Sequence, residues 1–310
     1  DGRMNENAGF LKGMKTSEAR KKMIEELKTR ELLVKQRQIV HRTPICERSK
    51  HPVEFISMPE YYLKQVEFKE ELRKIAGEID FYAPHSRQIL LDWIDSVSID
   101  WPISRRRYYA TEIPLWYCKC GEVILGEKGK YVQPWREQKK CNKCGSAAKG
   151  EERVFDTWFD SANSPLYILG MRSIPESRES NAPCTLRPQG KEIVRTWLYY
   201  TLLKIHLLTG SPAFRDVWIH YHIVDDHGKK MSKSVGNVID PHEILEKFGA
   251  EPFRLWCAVE GNLTEGDMKC SFDRIEGAGK TLSKLWNVAR FVSMFPEAAK
   301  QQHMLPLDEW

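Results

Sequence analysis

Three lysines lie close together within residues 225–237, in the stretch DDHGKKMSKSVGN. The side chains of Lys229, Lys230 and Lys233 would repel one another unless a negative group came to lie among them. Lys230 and Lys233 form a Lys-x-x-Lys pair, which on a loop can close over a polyphosphate, each ammonium acting as a point charge. The spacing therefore points to phosphate chemistry.

The reaction that suits this loop is attack on a nucleotide phosphate with a charged leaving group, because positioning and charge neutralisation supply most of its rate. The hydroxyls of Ser232 and Ser234 would add donors, and Gly228 and Gly236 would let the loop flex. The other interpretation is a solvated basic loop, which is what most lysine clusters are. The residues alone leave both interpretations open.

Four of the eight cysteines form two close pairs, Cys118-x-Cys120 and Cys141-x-x-Cys144. Four thiolates would close a tetrahedron around Zn²⁺ with no open position, which predicts a structural zinc site of the zinc-ribbon type. A region this small and charged needs such a cross-link to fold. Four free thiols are the alternative, and the first pair is one residue shorter than usual. Paired cysteines of this kind favour a reducing compartment, so we expect a cytoplasmic protein.

The elements that must position the lysines alternate between apolar strands and amphipathic helices over residues 151–240. This alternation predicts a parallel sheet with helices packed on it. Residues 216–224, DVWIHYHIV, predict a strand buried on both faces. The lysine loop follows the carboxyl end of that strand, where open parallel sheets bind ligands.

Other helices are predicted from apolar periodicity and end signals. Residues 17–28 and 65–79 show one apolar face each, and residues 190–208 carry an apolar stripe. Asp240 followed by Pro241 starts a further helix that Gly249 ends. A long helix is predicted over residues 273–295 and is stopped by Pro296.

Composition sets limits on the class of protein. The 310 residues suffice for about two domains, and 41% hydrophobic with 11% aromatic residues indicates a buried core. The longest apolar stretch, residues 196–208, is broken by Lys204 and His206 and is too short to span a bilayer, so we expect a soluble protein. A net charge of +5 is compatible with tRNA but does not establish it. The start DGRMNENAGF and the end LPLDEW suggest an interior segment of a longer polypeptide.

The stretch from Lys230 to Ser234, KMSKS, matches letter for letter a motif of the class I aminoacyl-tRNA synthetases. GNVIDP at 236–241, VFDTWFDSANSP at 154–165 and DWPISRRRYYATEIPLWYC at 100–118 resemble segments of the branched-aliphatic members, in the same order. The resemblance extends over nearly the whole chain.

This resemblance implies an α/β fold, the C-terminal half of a Rossmann-type class I catalytic domain with a zinc-ribbon-like insert. Its implied segments are the end of the editing domain (1–50), a return segment into the catalytic domain (51–115), the zinc-ribbon-like insert (116–150), the catalytic half with the KMSKS loop (151–240), a region contacting the tRNA stem (241–280) and the start of an α-helical anticodon-binding domain (281–310).

The resemblance also implies roles for the loop. Lys230 and Lys233, helped by Ser232, would stabilise the pyrophosphate that leaves when an amino-acid carboxylate attacks the α-phosphate of ATP, which is bound with Mg²⁺. His220 matches a histidine near the adenine; a buried strand histidine bonded to backbone is the equal alternative.

Gly190 and Glu192, in RPQGKEIVRTW, occupy the places of a Gly-x-Asp/Glu pattern that binds ribose in the family. The glycine would let ribose approach the backbone and the carboxylate would accept from its hydroxyls, although a first-turn glutamate also simply stabilises a helix N-terminus. The residues Glu192-Ile193 and Thr196-Trp197-Leu198 resemble the sequences of the valine-specific members more than those of the isoleucine-specific members. Trp158 and Tyr109 are the candidate walls of the amino-acid pocket, and Ala110 departs from the family pattern beside Tyr109.

We therefore expect a valine–tRNA ligase with valine, ATP and tRNA-Val as partners, monomeric and without a membrane. None of the nine histidines begins a His-x-Gly-His motif, which class I synthetases need, so this segment alone is expected to be inactive. The alternatives are an isoleucine–tRNA ligase and a non-catalytic tRNA-binding module. Arg105, Arg106 and Arg107 either bind RNA or face water.

Overall fold

The structure, a computed structural model, describes residues 2–40, 42–46, 49–53, 57–107, 109–171, 183–233, 235–261 and 266–296. The chain divides into two units, Asp1–Pro59 and Glu60–Trp310. None of the helices within the described ranges is both long and apolar enough to cross a membrane. The predicted segment boundary at residue 50 stays a prediction.

The first unit is built around one surface helix, α1, Thr16–Thr29. Glu18 in its first turn accepts a hydrogen bond from the backbone N–H of Lys15, which satisfies one of the free donors at the helix start. Ala19 is buried while most of the helix is exposed. The amphipathic helix predicted for residues 17–28 is confirmed.

The strands of the second unit are short, apart from two. They are β1 Tyr62–Leu63, β2 Asp80–Phe81, β3 Trp101–Pro102, β4 Ser104–Arg105, β5 Leu115–Tyr117, β6 Val123–Leu125, β7 Lys139–Lys140, β8 Ala147–Gly150, β9 Val154–Phe155, β10 Cys184–Gly190, β11 Phe214–His220, β12 Ile223–Val224 and β13 Met268–Lys269. The helices of this unit are α2 Lys69–Glu78, α3 Arg87–Ser96, α4 Thr157–Ser161, α5 Ser164–Ile168, α6 Tyr199–Thr209, α7 Pro241–Phe248, α8 Ala250–Glu260 and α9 Phe272–Ser293.

A parallel sheet of order β10-β11-β2 positions the candidate site. Helices α2, α3 and α6 contribute to the apolar core that this sheet shares, and the fully buried members include Leu72, Leu90, Ile94, Leu203, Val217 and Ile219. The parallel sheet predicted for this part of the chain is confirmed. Gly190 pairs with His220, so the carboxyl ends of β10 and β11 lie side by side.

The strand predicted for residues 216–224 is wrong in its extent. β11 ends at His220, and the chain resumes as β12, which pairs with β13 instead of continuing the central sheet. Burial on both faces is also wrong, because Trp218 and His220 are exposed. An apolar run cannot by itself reveal this change of partner.

The segment after β10 is helical, as predicted, but its first turns are not α-helical. A 3₁₀ turn, Lys191–Ile193, passes into a π-helical turn, Val194–Leu198, before α6 begins. Single π turns often occur at functional sites, and this one follows directly on Gly190 and Glu192.

The helix signals around residue 240 are confirmed. The side chain of Asp240 caps α7 by accepting from the backbone N–H of His242 at 2.9 Å, and Gly249 follows the last helical residue with a φ of 84°. The long helix α9 is confirmed too, although Leu285, Trp286 and Val292 of its apolar stripe are exposed. The part of the predicted segment 281–310 beyond residue 296 lies outside the described residues.

Candidate functional site

Gly190 lets a carboxylate lie against the end of β10. A Cβ atom at this position would come within 2.4 Å of Oε2 of Glu192, closer than real Cβ contacts allow. The glycine is therefore required for the carboxylate of Glu192 to fold back over the strand end. Both members of the predicted Gly-x-Glu pair lie at the carboxyl edge of the sheet, where ligands of parallel sheets bind.

The carboxylate of Glu192 lies against His222, the residue that precedes β12. Its Oε2 lies 3.1 Å from Nε2 of His222, whose backbone N–H donates to Oδ1 of Asp267 at 3.0 Å. The ammonium of Lys191 donates to the same Oδ1 at 2.5 Å. Burial opposes ionisation of Asp267, but these two hydrogen bonds outweigh it and lower the pKa of Asp267. Glu192 therefore contacts His222, and the backbone of His222 is in turn anchored by Asp267, which pairs with Lys191.

His220 is the last residue of β11 and is exposed. A buried strand histidine, one of the two interpretations of the sequence, is therefore excluded. Its partner in the sheet register is Gly190, so its side chain belongs to the same edge as Glu192. Its assignment to the adenine stays a prediction.

Asp225 orders the lysine loop from within. This buried carboxylate accepts from the backbone N–H groups of His227 at 3.1 Å and Lys229 at 2.7 Å, and from the side-chain amide of Asn237 at 2.8 Å. These hydrogen bonds lower the pKa of Asp225. The one from the Asn237 amide has the largest effect, and the backbone ones add to it. Asn237 in turn accepts from the backbone N–H of Ser232 at 2.9 Å. The loop therefore has a defined shape.

The ammonium groups that the loop carries face solvent. Lys229, Lys230 and Lys233 are all exposed, and none of the three has an ion pair within the described part of the chain. Lys230 forms a bridge with Val224, the last residue of β12, so the loop starts next to the strand that follows His222. Ser234 lies outside the described residues. The loop therefore offers three uncompensated positive charges near the edge that holds Glu192.

Several residues of this site were missed by the sequence analysis: Asp225, Asn237, Lys191, His222 and Asp267. Asp225 and Asn237 flank the lysines within the quoted stretch, and their polar side chains beside glycines were an available signal. Asp267 is 45 residues from its partner His222, so no local pattern indicates that pair.

Two further polar side chains on β10 were also missed. Arg187 and Gln189 lie two residues apart on one face of the strand and are almost fully buried. Burial lowers the pKa of Arg187 to about 8. Arg187 donates to Oγ of Ser164, but two of its nitrogens and both amide atoms of Gln189 have no hydrogen-bond partner among the described residues. A buried polar atom without a hydrogen-bond partner destabilises a folded protein by about 1–3 kcal/mol.

The four paired cysteines come together in a small antiparallel sheet of order β6-β5-β8-β7, called the cysteine module here and spanning residues 115–150. The sulfur of Cys118 lies 3.3 Å from that of Cys144, the sulfur of Cys120 lies 3.7 Å from that of Cys141, and all four lie within 4.8 Å of one another. Tetrahedral bonds of about 2.3 Å to zinc would separate the sulfurs by about 3.8 Å. The donor set therefore fits Zn²⁺.

Local hydrogen bonds favour a thiolate at one of the four cysteines, Cys144. The backbone and then the side chain of Ser146 donate to Cys144, and together with the neighbouring thiols they lower its pKa to about 6. Backbone hydrogen bonds lower the pKa of Cys118 and of Cys120, but hydrogen bonds among the sulfurs outweigh them and raise both values. Metals bind the deprotonated sulfur, so the cluster would release protons when it binds a metal. The remaining cysteines of the second unit, Cys184, Cys257 and Cys270, are buried or half-buried, as packing residues are.

The two candidate residues of the amino-acid pocket differ in exposure. Trp158 is half-buried, and its backbone N–H donates to Oδ1 of Asp156, which caps α4. Tyr109 is 91% exposed, so it forms no wall of a closed pocket in this structure. Asp156 also pairs with Arg105 at 2.6 Å. The assignment of Trp158 and Tyr109 to a pocket stays a prediction.

Comparison with known proteins identifies the family. Residues 8–271 match the sequence profile of the class I tRNA synthetases (I, L, M and V). The chain belongs to this family. It is 47% identical over 97% of its length to a protein named valine–tRNA ligase of Nanoarchaeum equitans, and 46% identical over 96% to one of Aeropyrum pernix. It covers 40% and 37% of these relatives, so the chain spans well under half of their length.

A solved structure agrees at the level of the fold. The methionyl-tRNA synthetase of Mycobacterium tuberculosis, solved in complex with methionyl-adenylate, aligns with a TM-score of 0.57 over 83% of this chain and 45% of that one, at 19% identity. The α/β class I synthetase fold expected from the sequence is thereby confirmed. The predicted editing-domain remnant and anticodon-binding bundle stay predictions.

Proposed function

We propose that this chain is part of a valine–tRNA ligase, which activates valine with ATP and then transfers the valyl group to tRNA-Val. The observation that carries the proposal is the 47% identity, over nearly the whole chain, to a protein of that name. The site geometry supports it, because Gly190, Glu192 and the lysine loop gather at one end of a parallel sheet.

In the activation step, the carboxylate of valine attacks the α-phosphorus of ATP, supplied with Mg²⁺. The bond from that phosphorus to the bridging oxygen of the β-phosphate breaks, and pyrophosphate leaves. Lys230 and Lys233, which lack ion pairs in the described residues, would neutralise the charge developing on pyrophosphate, and Ser232 would bind the phosphates beside them.

The strand ends would hold the nucleoside. Glu192 would accept from the ribose hydroxyls, and the contact with His222 orients its carboxylate for this. Gly190 would let the ribose approach the backbone, and the exposed His220 would lie beside the adenine. Trp158 would contact the valine side chain, and Tyr109, which is exposed in this structure, would have to turn towards the substrate to do the same. Zinc held by the four cysteines would be structural, since the four thiolates leave no open coordination position.

The test is ATP–pyrophosphate exchange by the complete gene product, with valine compared against isoleucine at equal concentration. We expect exchange with valine at a much higher kcat/KM. Exchange with isoleucine alone would make the protein an isoleucine–tRNA ligase. Binding of tRNA without exchange with either amino acid would indicate a non-catalytic tRNA-binding module.

A further inference from the structure

A groove of about 910 Å³ lies between the cysteine module and the segments on either side of it in the chain. Its lining includes Tyr117, Trp135 and Arg136 from the module, and Arg107 and Arg153 from the flanking segments. Neither the lysine loop nor Gly190 and Glu192 lines it, so the groove is separate from the proposed nucleotide site.

Most charges in the groove are already paired. The carboxylate of Glu151 accepts from Arg153 at 2.6 Å and from the hydroxyl of Tyr117 at 2.9 Å. Lys149 pairs with Glu152 at 3.0 Å. Glu60, which lies just outside the lining, pairs with both Arg106 and Arg153.

Two cations in the lining, Arg107 and Arg136, make no direct ion pair within the described ranges, although the charge of Arg136 helps the hydrogen bonds to lower the pKa of Glu112. The carboxylate left over is that of Glu112, whose Oε1 accepts from the hydroxyl of Tyr131 at 2.6 Å and the amide of Gln133 at 3.0 Å. Two arginines therefore face one hydrogen-bonded acid. This balance favours an anionic ligand.

An aromatic ring is held in the same groove. Trp135 is 39% exposed, although the segment carrying it is fixed. The backbone of Pro134 packs on Gly150 so closely that a Cβ there would lie 1.9 Å from the Pro134 oxygen. Two residues after Trp135, the carbonyl of Glu137 accepts from Nε1 of Trp116 at 2.8 Å. The tryptophan is therefore presented by an ordered backbone.

Exposed aromatic rings beside unpaired arginines are the arrangement that binds single-stranded nucleic acids, because the arginines contact phosphates and the ring stacks on a base. Paired bases stack on one another and offer no free face, so the ring selects unpaired nucleotides. A free phosphate would contact the arginines but not the ring, whereas a nucleotide would contact both.

We propose that this groove binds unpaired nucleotides of RNA, with Arg107 and Arg136 on the phosphates and Trp135 stacked on a base. The proposal rests on the proposed function for the identity of the RNA as tRNA. It adds a second RNA-binding surface to the enzyme, outside the site of ATP chemistry.

The experiment measures binding of a fluorescein-labelled single-stranded RNA oligonucleotide, and of its duplex, by fluorescence anisotropy over a range of salt concentrations. We expect the single strand to bind more tightly than the duplex. The double variant R107A/R136A should weaken binding at least tenfold and reduce the salt slope by about 0.7 for each phosphate that is no longer neutralised. W135A should weaken binding about fivefold or more, and W135F should restore most of it.

The matched control is K128A/K140A, which removes two exposed positive charges from the cysteine module outside the groove. Equal weakening by this control, or unchanged binding by R107A/R136A with an unchanged melting temperature, would overturn the proposal. In the complete gene product, R107A/R136A should raise the KM for tRNA and leave ATP–pyrophosphate exchange, which needs no RNA, unchanged. Absence of exchange in the parent protein would refute the proposed function and not the groove.

Discussion

The side-chain amide of Asn237 donates to the buried carboxylate of Asp225 at 2.8 Å and so joins the two ends of the lysine loop. The same carboxylate accepts from the backbone of Lys229, next to the first lysine of the motif. One ionised group therefore sets where the loop begins and where it ends. The cationic side chains themselves take no part in this order, which leaves them available to a phosphate.

Replacing Asp225 should weaken activation without touching a phosphate ligand. D225N keeps the shape but loses the charge that its three hydrogen-bond donors require, and hydrogen bonds to charged groups contribute about 1.5–3 kcal/mol each. We expect ATP–pyrophosphate exchange by the complete gene product to fall at least tenfold. D226N is the control, since Asp226 is exposed and adjacent. Equal losses in the two variants would show that only net charge matters.

The three lysines of the loop should contribute unequally to the rate of activation. K233M and K230M should each lower kcat for exchange on the order of 10²-fold, the usual cost of removing one group that stabilises transition-state charge. K229M should change kcat little, because the structural contact of Lys229 is made by its backbone N–H. Pre-steady-state rates of adenylate formation measure this directly. A K229M defect as large as that of K233M would refute the assignment.

A side chain at Gly190 should move Glu192 without unfolding the protein, because the atoms that it meets are the end of the flexible Glu192 side chain. The Cβ of G190A would displace the carboxylate of Glu192, and with it the contact to His222, so the KM for ATP should rise severalfold or more. G77A serves as the matched substitution, because nothing lies within 4 Å of a Cβ at Gly77. Unchanged ATP affinity in G190A would mean that Glu192 does not bind the nucleotide.

The four cysteines predict about one equivalent of zinc per chain, measured by atomic emission after dialysis. C141S should lose the metal and lower the melting temperature, because Cys141 is a buried member of the cluster. C257S, a half-buried cysteine away from it, should keep the metal. Metal well below one equivalent, with four titratable thiols, would refute the zinc site.

Glu151 should make the protein sensitive to acid. Burial alone would raise its pKa, but hydrogen bonds from Arg153 and Tyr61 outweigh it and lower the pKa of Glu151 from 4.5 to about 2. Its stabilising contribution, on the order of 3 kcal/mol, is present above pH 4.5 and is lost as the pH falls towards 2. Urea unfolding from pH 7 to 3 should show this loss. The free energy of unfolding of E151Q should be lower at pH 7 and should change less with pH. E152Q, at an exposed position, should show the same pH dependence as the parent protein.

Features set by residues close together in the chain could be predicted from the sequence, whereas contacts between distant segments could not. The caps of α7 and the cysteine cluster were predictable because neighbouring residues or a dominant chemistry specify them. The break after His220 was not, because β12 finds its partner in β13, about 45 residues later. The cluster around Glu151 joins it to Tyr61, 90 residues away, and no spacing signals that contact. The apolar residues of α9 recur with helical periodicity and so predict the helix, but the sequence does not indicate what would cover its exposed apolar face.

The close approach of the sulfurs in the cysteine module gives it a second chemistry. Cys118 and Cys144 are 3.3 Å apart, and Cys120 and Cys141 are 3.7 Å apart. A bound metal would shield these thiolates from oxidants, whereas the bare module holds two pairs of neighbouring sulfurs that oxidation can join as disulfides. Loss of a bound metal would therefore leave these sulfurs open to disulfide formation, and the disulfides would have to be reduced before the site could bind metal again.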